Sequence, residues 1–202
     1  MRPVHVELPD NELIARAKNN DKQAFTVIFD RYRNKILGYI YRYIGDYQRA
    51  EDLTVETFLS AYNSLAGYDE RGLFSSWLYK IATNYAKKEL RHRSRRPGEV
   101  SLEAPTTTDG DSTLGDMMTD ERSRPDYDLE EAELKELVYK VISDMKDIYK
   151  DVLILCDVEG LSHNEAAKIL NTNSPTVGTR LIRARRMLYE ILMKHGYKFK
   201  ES

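Results

Sequence analysis

Cysteine is almost missing from this sequence. The one thiol, Cys156, excludes a disulfide within the chain. It lies in the apolar run DVLILCDV and reads as a buried structural thiol rather than a redox sensor. Histidine is scarce as well: His5, His92, His163 and His195 are scattered, with no zinc-ligand spacing. There is no glycine-rich phosphate loop, no Gly-x-Ser-x-Gly and no partner for a catalytic cysteine. Nothing here calls for an enzyme, a metal or a cofactor. Long apolar runs are missing too; none approaches the roughly 20 residues a membrane helix needs, and MRPVHVELPD is not a signal peptide. The expected compartment is the cytoplasm, without membrane insertion.

What the chain does have is charge, arranged in blocks. The formal net charge of −2 conceals them. Phe74 to Arg96 holds seven Lys/Arg against Glu89 alone. Pro97 to Glu133 holds twelve Asp/Glu against two arginines. From Ser174 to Lys200, seven Lys/Arg face only Glu190. Two basic blocks around an acidic one suggest two nucleic-acid contacts and a connector that repels the same partner.

Strand alternation is absent, and apolar residues recur at helical spacing through most of the chain. ELIARAKNN predicts a short helix. A long helix follows, with Phe25, Ile28, Phe29, Tyr32, Ile36, Ile40 and Tyr43 on one face and Gly45 as its stop. Asp46 is placed to cap a third helix, YQRAEDLTVETFLSAYNSL, and after the loop AGYDERG a fourth runs from about Leu73 to Arg93. In that helix Trp77, Ile81 and Tyr85 fall at steps of four and are expected to pack inward. Pro97 to about Asp126 is rich in Pro, Gly, Ser, Thr and Asp and reads as a linker without a core of its own. Helices are expected again from Leu129 to Ser143 and over IYKDVLILCDVEG. The fold class predicted is all-α: two small helical domains, 10–96 and 129–202, joined by an extended acidic linker, 97–128.

The stretch SHNEAAKILNTNSPTVGTRLIRAR closes the pattern. Ser162 and Glu165 form a capping box at the start of one short helix. Asn171, Thr172 and Asn173 interrupt it, and Ser174-Pro175 predicts an N-cap and N1 proline for the next. In this second helix Val177, Leu181, Ala184, Leu188 and Ile191 form one stripe; Thr176, Thr179, Arg183 and Arg186 lie opposite, with Arg180 on the border. This is a helix-turn-helix with hydroxyls and guanidiniums in the first turns of its second helix, where base edges are met. A plain solvated face is the alternative; the shortage of acids favours DNA.

RAEDLTVETFLSAY, then FSSWLYKIATNYAKKELRHRSRR, then a linker, then YKDVLILCDVEGLSHNEAAKIL and SPTVGTRLIRARRML resemble, in this order, a bacterial RNA polymerase sigma factor of the extracytoplasmic-function (sigma-70-related, group four) family, which keeps only regions two and four. The resemblance covers about residues 10–96 and 129–193. It implies a transcription initiation factor that binds core RNA polymerase and directs it to promoters. The helix with Glu51, Asp52 and Glu56 then docks on the coiled coil of the largest polymerase subunit; a glutamine usual there is Val55 here. Tyr68, Asp69, Glu70 and Arg71 of the loop, with Lys80, Asn84, Lys87, Lys88 and Arg91 of the following helix, open and hold the single-stranded −10 element. An aspartate common in this helix is Lys88. Ser174, Thr176, Thr179, Arg180, Arg183 and Arg186 read the −35 element as duplex DNA. Gly178 stands where a basic residue is frequent, at a cost of about 1 kcal/mol in helix propensity. The acidic linker implies either a nucleic-acid mimic in the polymerase channels or a spacer, and an anti-sigma inhibitor protein is an expected partner. A stand-alone helix-turn-helix regulator is the rival, leaving the first 96 residues unassigned; an enzyme acting on nucleic acid is a distant third.

Overall fold

The computed structural model describes residues 8–69, 73–95 and 128–197, and among these every regular element is helical. α1 (Asp10–Lys18) turns into α2 (Lys22–Ile44) through Asn20, at φ 65°. The Asp21 carboxylate caps α2 by accepting from the Gln23 and Ala24 amides. Gly45 ends it at φ 72°, a left-handed conformation that glycine adopts without a Cβ clash. Asp46 then caps α3 (Tyr47–Ser64), accepting from the Arg49 amide. A 3₁₀ turn (Leu65–Gly67) follows, so α3 stops just short of the stretch its periodicity predicts. After the loop comes α4 (Phe74–Arg95).

α2 is the axis of this first region. The predicted stripe is buried or half-buried, and Ala24, Leu37, Tyr39 and Ile44 are buried too, because α1, α3, α4 and α5 all pack on this helix. In α4 the buried face differs from the expected one. Phe74, Leu78, Tyr79, Ala82, Thr83 and Ala86 go inside, while Trp77, Ile81 and Tyr85 are half-buried along the edge. Trp77 stays at the rim because it covers an aromatic cluster, its ring 5.0 Å from Tyr68 and 5.6 Å from Phe74.

The second region comprises α5 (Asp128–Asp144), α6 (Asp147–Leu153), α7 (His163–Ile169) and α8 (Ser174–Lys194). The expected single helix over IYKDVLILCDVEG is not continuous: after α6 the winding widens into a π-turn, Ile154–Val158, before Gly160 reverses the chain at φ 67°. Cys156, in this turn, is half-buried rather than fully enclosed, and burial raises its thiol pKa. The capping box forms as predicted, with Ser162 accepting from the Glu165 amide and the Glu165 carboxylate accepting from the Ser162 amide at 2.8 Å. The N-cap of α8 is Asn173, not Ser174: its side chain accepts from the Thr176 amide at 2.8 Å, which moves Ser174 and Pro175 into the first turn. Asparagine competes well with serine for this position, and Ser174-Pro175 suits the helical side of it. Val177, Leu181 and Ala184 are buried, and α8 packs against α5, α6 and α7.

The two regions touch each other. α4 packs on α7 and α2 on α5, with the Tyr41 and Tyr139 rings edge to face at 6.5 Å. Residues 97–127 of the predicted linker lie outside the described residues, and Asp128 already opens α5.

Candidate nucleic-acid and polymerase interface

Three faces come out of this packing. The first lies on α3. Burying Ala50, Leu53, Thr54, Thr57, Phe58 and Ala61 leaves Glu51, Asp52 and Glu56 on the outer side. The acids are not bare: Arg49 reaches both Asp52 and Glu56 at 3.5 Å, and Arg33 stands 3.9 Å from Glu51. Between the acids, Val55 and Leu59 are more than half exposed. The sequence marked Val55 only as a replacement for the usual glutamine and did not mark Leu59, although the signal for an exposed apolar pair was there: both residues fall outside the buried stripe of their own helix. The face can therefore offer an apolar strip edged by carboxylates.

The second face runs along α4. Lys80, Asn84, Lys88 and Arg91 are exposed and share one side of the helix over about 16 Å at 1.5 Å per residue. Two other expected contacts sit differently. The Tyr68 ring is buried, edge-on to Phe74 at 5.6 Å, and the Tyr68 carbonyl accepts from Lys18 at 2.9 Å. Lys87 points into the second region and donates to Asp151 at 2.6 Å. Asp69 is exposed, and Arg71 lies outside the described residues. Part of the basic block is structural. Arg93 donates to Asp46 at 2.9 Å and to Glu89 at 3.0 Å, and Arg49 donates to Glu89 at 3.1 Å. Burial alone would raise the Glu89 pKa; the two guanidiniums outweigh it and hold the carboxyl below the usual range. A cleft beside this face is lined by Tyr68, Trp77 and Lys80, with Lys168 and Ile169 of α7 across from them.

The third face is the outer side of α8. Thr179, Arg183 and Arg186 are exposed; Ser174, Thr176 and Arg180 are half-exposed. The arginines differ in their commitments. Arg185 grips Asp157 with two bonds of 2.8 and 2.6 Å, which raise its already high pKa. Arg186 pairs with Glu190 at 2.8 Å on the same helix, an exposed and weak contact. The Thr179 hydroxyl donates to the Pro175 carbonyl at 3.1 Å and keeps its lone pairs for another donor. Such a surface matches the donor and acceptor pattern of a major groove. Among the described residues no group of His, Cys, Asp and Glu is placed to hold a metal ion, and no helix is long and apolar enough to cross a membrane.

Comparisons with known proteins identify the family. Residues 28–96 match the family model of Sigma-70 region 2, and residues 135–188 match that of Sigma-70, region 4. The RNA polymerase sigma-H factor of Pseudomonas aeruginosa is 34% identical over 185 residues, covering 91% of this chain and 93% of the relative. The ECF RNA polymerase sigma-E factor of Haemophilus influenzae is 32% identical over 184 residues, covering 90% and 94%. The sigma factor RpoE of Bartonella quintana, solved in complex with the anti-sigma factor NepR, shares the fold at a TM-score of 0.63 and 21% identity, over 84% of this chain and 96% of that one. A stand-alone helix-turn-helix regulator does not account for a first region with a family match of its own. Matched in both regions and related to named sigma factors along about nine-tenths of its length, the chain belongs to the extracytoplasmic-function group of the sigma-70 family of RNA polymerase sigma factors.

Proposed function

We propose that this chain is a transcription initiation factor that works through three separate faces. The outer face of α3, with Glu51, Asp52 and Glu56 around Val55 and Leu59, docks on a basic surface of core RNA polymerase. The side of α4 that carries Lys80, Asn84, Lys88 and Arg91, together with the loop from Tyr68 to Arg71, holds the opened −10 strand; Lys87 joins it when released from Asp151. The outer face of α8, through Thr176, Thr179, Arg180, Arg183 and Arg186, with Ser174 at its start, reads the −35 duplex. Residues 10–96 and 129–202 are the corresponding units, with 97–128 connecting them. The protein acts in the cytoplasm, without catalysis or a cofactor of its own, and an anti-sigma protein is its natural inhibitor.

The observation that carries this reading is the family relationship running through both regions. The chemistry of the faces supports it: carboxylates suit a basic protein partner, while guanidiniums and ammoniums suit phosphates. Transcription in vitro tests it, with core polymerase stripped of sigma factors on a promoter library. The chain should yield discrete start sites preceded by two shared sequence elements. A chain that neither binds the core enzyme nor directs initiation would overturn it.

A further inference from the structure

Among the arginines of α8 stands a side chain of a different kind. Ile182 is 69% exposed, the most exposed large apolar residue among those described. Its place on the helix is informative. Val177, Leu181 and Ala184 are buried, so the line farthest from the core runs near Thr179 and Arg186. At about 100° per residue, Ile182 and Arg183 flank that line at about 50° on either side. Thr176 and Arg180 lie further round and are only half-exposed. Ile182 is therefore as central to the outer face as Arg183.

Nothing in the fold requires an isoleucine here. Ile182 is not packed against the core, so it gains none of the burial that holds apolar residues elsewhere in α8. Being β-branched, it also suits a helix less well than lysine, arginine or glutamate. One exposed isoleucine is ordinary on a solvated surface. This one shares a face with Thr179, Arg183 and Arg186. Tyr189 and Met193 continue the apolar row on the same side, but about 10 and 16 Å further along the axis, against a major groove about 12 Å wide. Ile182 alone of the three lies level with the hydroxyls and guanidiniums. Helical side chains also lean toward the N-terminus, so it reaches over the turn of Thr179, where a recognition helix meets base edges. In the major groove one group suits an aliphatic side chain, the C5 methyl of thymine. The other edge positions are donors and acceptors, which an isoleucine would leave unpaired.

We propose that Ile182 is a specificity-determining residue of the −35 contact and packs on the C5 methyl group of one thymine. The proposal rests on the assignment of the outer face of α8 to duplex DNA. Thr179, Arg183 and Arg186 then supply hydrogen bonds, while Ile182 selects an A·T pair and its orientation without making one.

The test uses polymerase holoenzyme formed with the full-length chain, on a promoter selected in vitro. Each thymine of the −35 element, on either strand, is replaced in turn by deoxyuridine, which keeps its pairing and loses only the methyl group. With the parent chain, one replacement should weaken binding about fourfold, the worth of one buried methyl group. With Ile182→Ala the same replacement should have no effect, and Ile182→Val, which keeps methyl groups on Cβ, should retain most of the difference. Equal losses in the parent and Ile182→Ala, no loss at any position, or a −35 element without an A·T pair would overturn the proposal. So would a drop in binding by Ile182→Ala that is the same with thymine and deoxyuridine, since it would assign the side chain to contact with protein. Arg183→Ala separates the proposal from the reading beneath it. If that variant broadens the selected −35 sequence while the deoxyuridine effect is absent, only the role of Ile182 falls. If neither Arg183→Ala nor Ile182→Ala alters the selected sequence, the assignment of α8 falls with it.

Discussion

Gly178 offers a direct test of how α7 and α8 meet. Glycine inside a helix is less favourable than alanine by about 0.8–1.0 kcal/mol, because the unfolded chain gains freedom and no side chain is packed. The usual reasons to retain glycine do not apply. Gly178 is not among the residues with positive φ, and a Cβ there would meet the His163 ring at 3.6 Å, an ordinary contact with an exposed side chain at the start of α7. Gly178→Ala should therefore keep nearly all of the propensity gain and stabilise the second region by about 0.5–1 kcal/mol. The methyl group faces α7 rather than the outer side of α8, so −35 binding should be unchanged. Scanning calorimetry on the full chain checks this. If the second region melts as its own unit, the shift should be about 4–8 °C per kcal/mol; if the two regions melt together, about 2–4 °C. A lower melting temperature would refute the reasoning, since it would mean that the α7–α8 contact has no room for one methyl.

Asp52→Lys with Glu56→Lys should weaken core polymerase binding at least about tenfold, about 1.4 kcal/mol, with helical content intact; a pull-down titration decides it. Arg183→Ala should reduce −35 discrimination by about 1–3 kcal/mol if it reaches a base. Arg185→Ala should act mainly on stability, because its guanidinium is held by Asp157; selection from a promoter pool beside thermal melting separates the two. Asn84→Ala and Lys88→Ala should leave closed-complex footprints nearly intact and slow the appearance of permanganate-reactive −10 thymines. Ser162→Ala should cost about 1 kcal/mol through loss of the cap. The Ser162 hydrogen bonds hold the Glu165 carboxyl below its ordinary pKa, so that stabilisation is present above the usual glutamate range and is lost as pH falls through the depressed value. The gap between the Ser162→Ala variant and its parent, read from melting against pH, should therefore narrow in acid.

How much of this was legible follows from where the information lies. Helix termini are written in single residues next to the helices they govern. Gly45, Asp46 and the Ser162–Glu165 pair behave as their types dictate. Where two good caps stand side by side, as at Asn173 and Ser174, local chemistry does not decide, and the backbone chose the first. Stripes are legible where the neighbours cover the predicted row, as in α8, whose Val177, Leu181 and Ala184 are buried beneath α5, α6 and α7. They mislead on α4, where the fully buried row is Phe74, Leu78, Ala82 and Ala86 and the row with the larger aromatics forms the rim. The π-turn had no signal at all, since DVLILCDV is as apolar as a buried α-helix would be.

The largest gap concerns charge. The sequence counts a lysine or arginine the same whether it faces solvent, its own helix or another region. Folding separates these cases. Arg93 ties α4 to the junction of α2 and α3, Arg185 braces α8 against the π-turn, and Arg42 and Lys87 bind carboxylates more than 60 residues away. A block balance therefore overstates what is available to nucleic acid. It also hides a distinction of kind. Exposed guanidiniums such as Arg183 keep a hydration shell that a phosphate or a base edge can replace. Arg42 has already exchanged water for one carboxylate in one geometry, which makes it specific and reversible rather than strongly stabilising. The same two residue types thus lie open on the outer sides of α4 and α8 and pair with carboxylates between the regions, and only the packing of the two regions tells them apart.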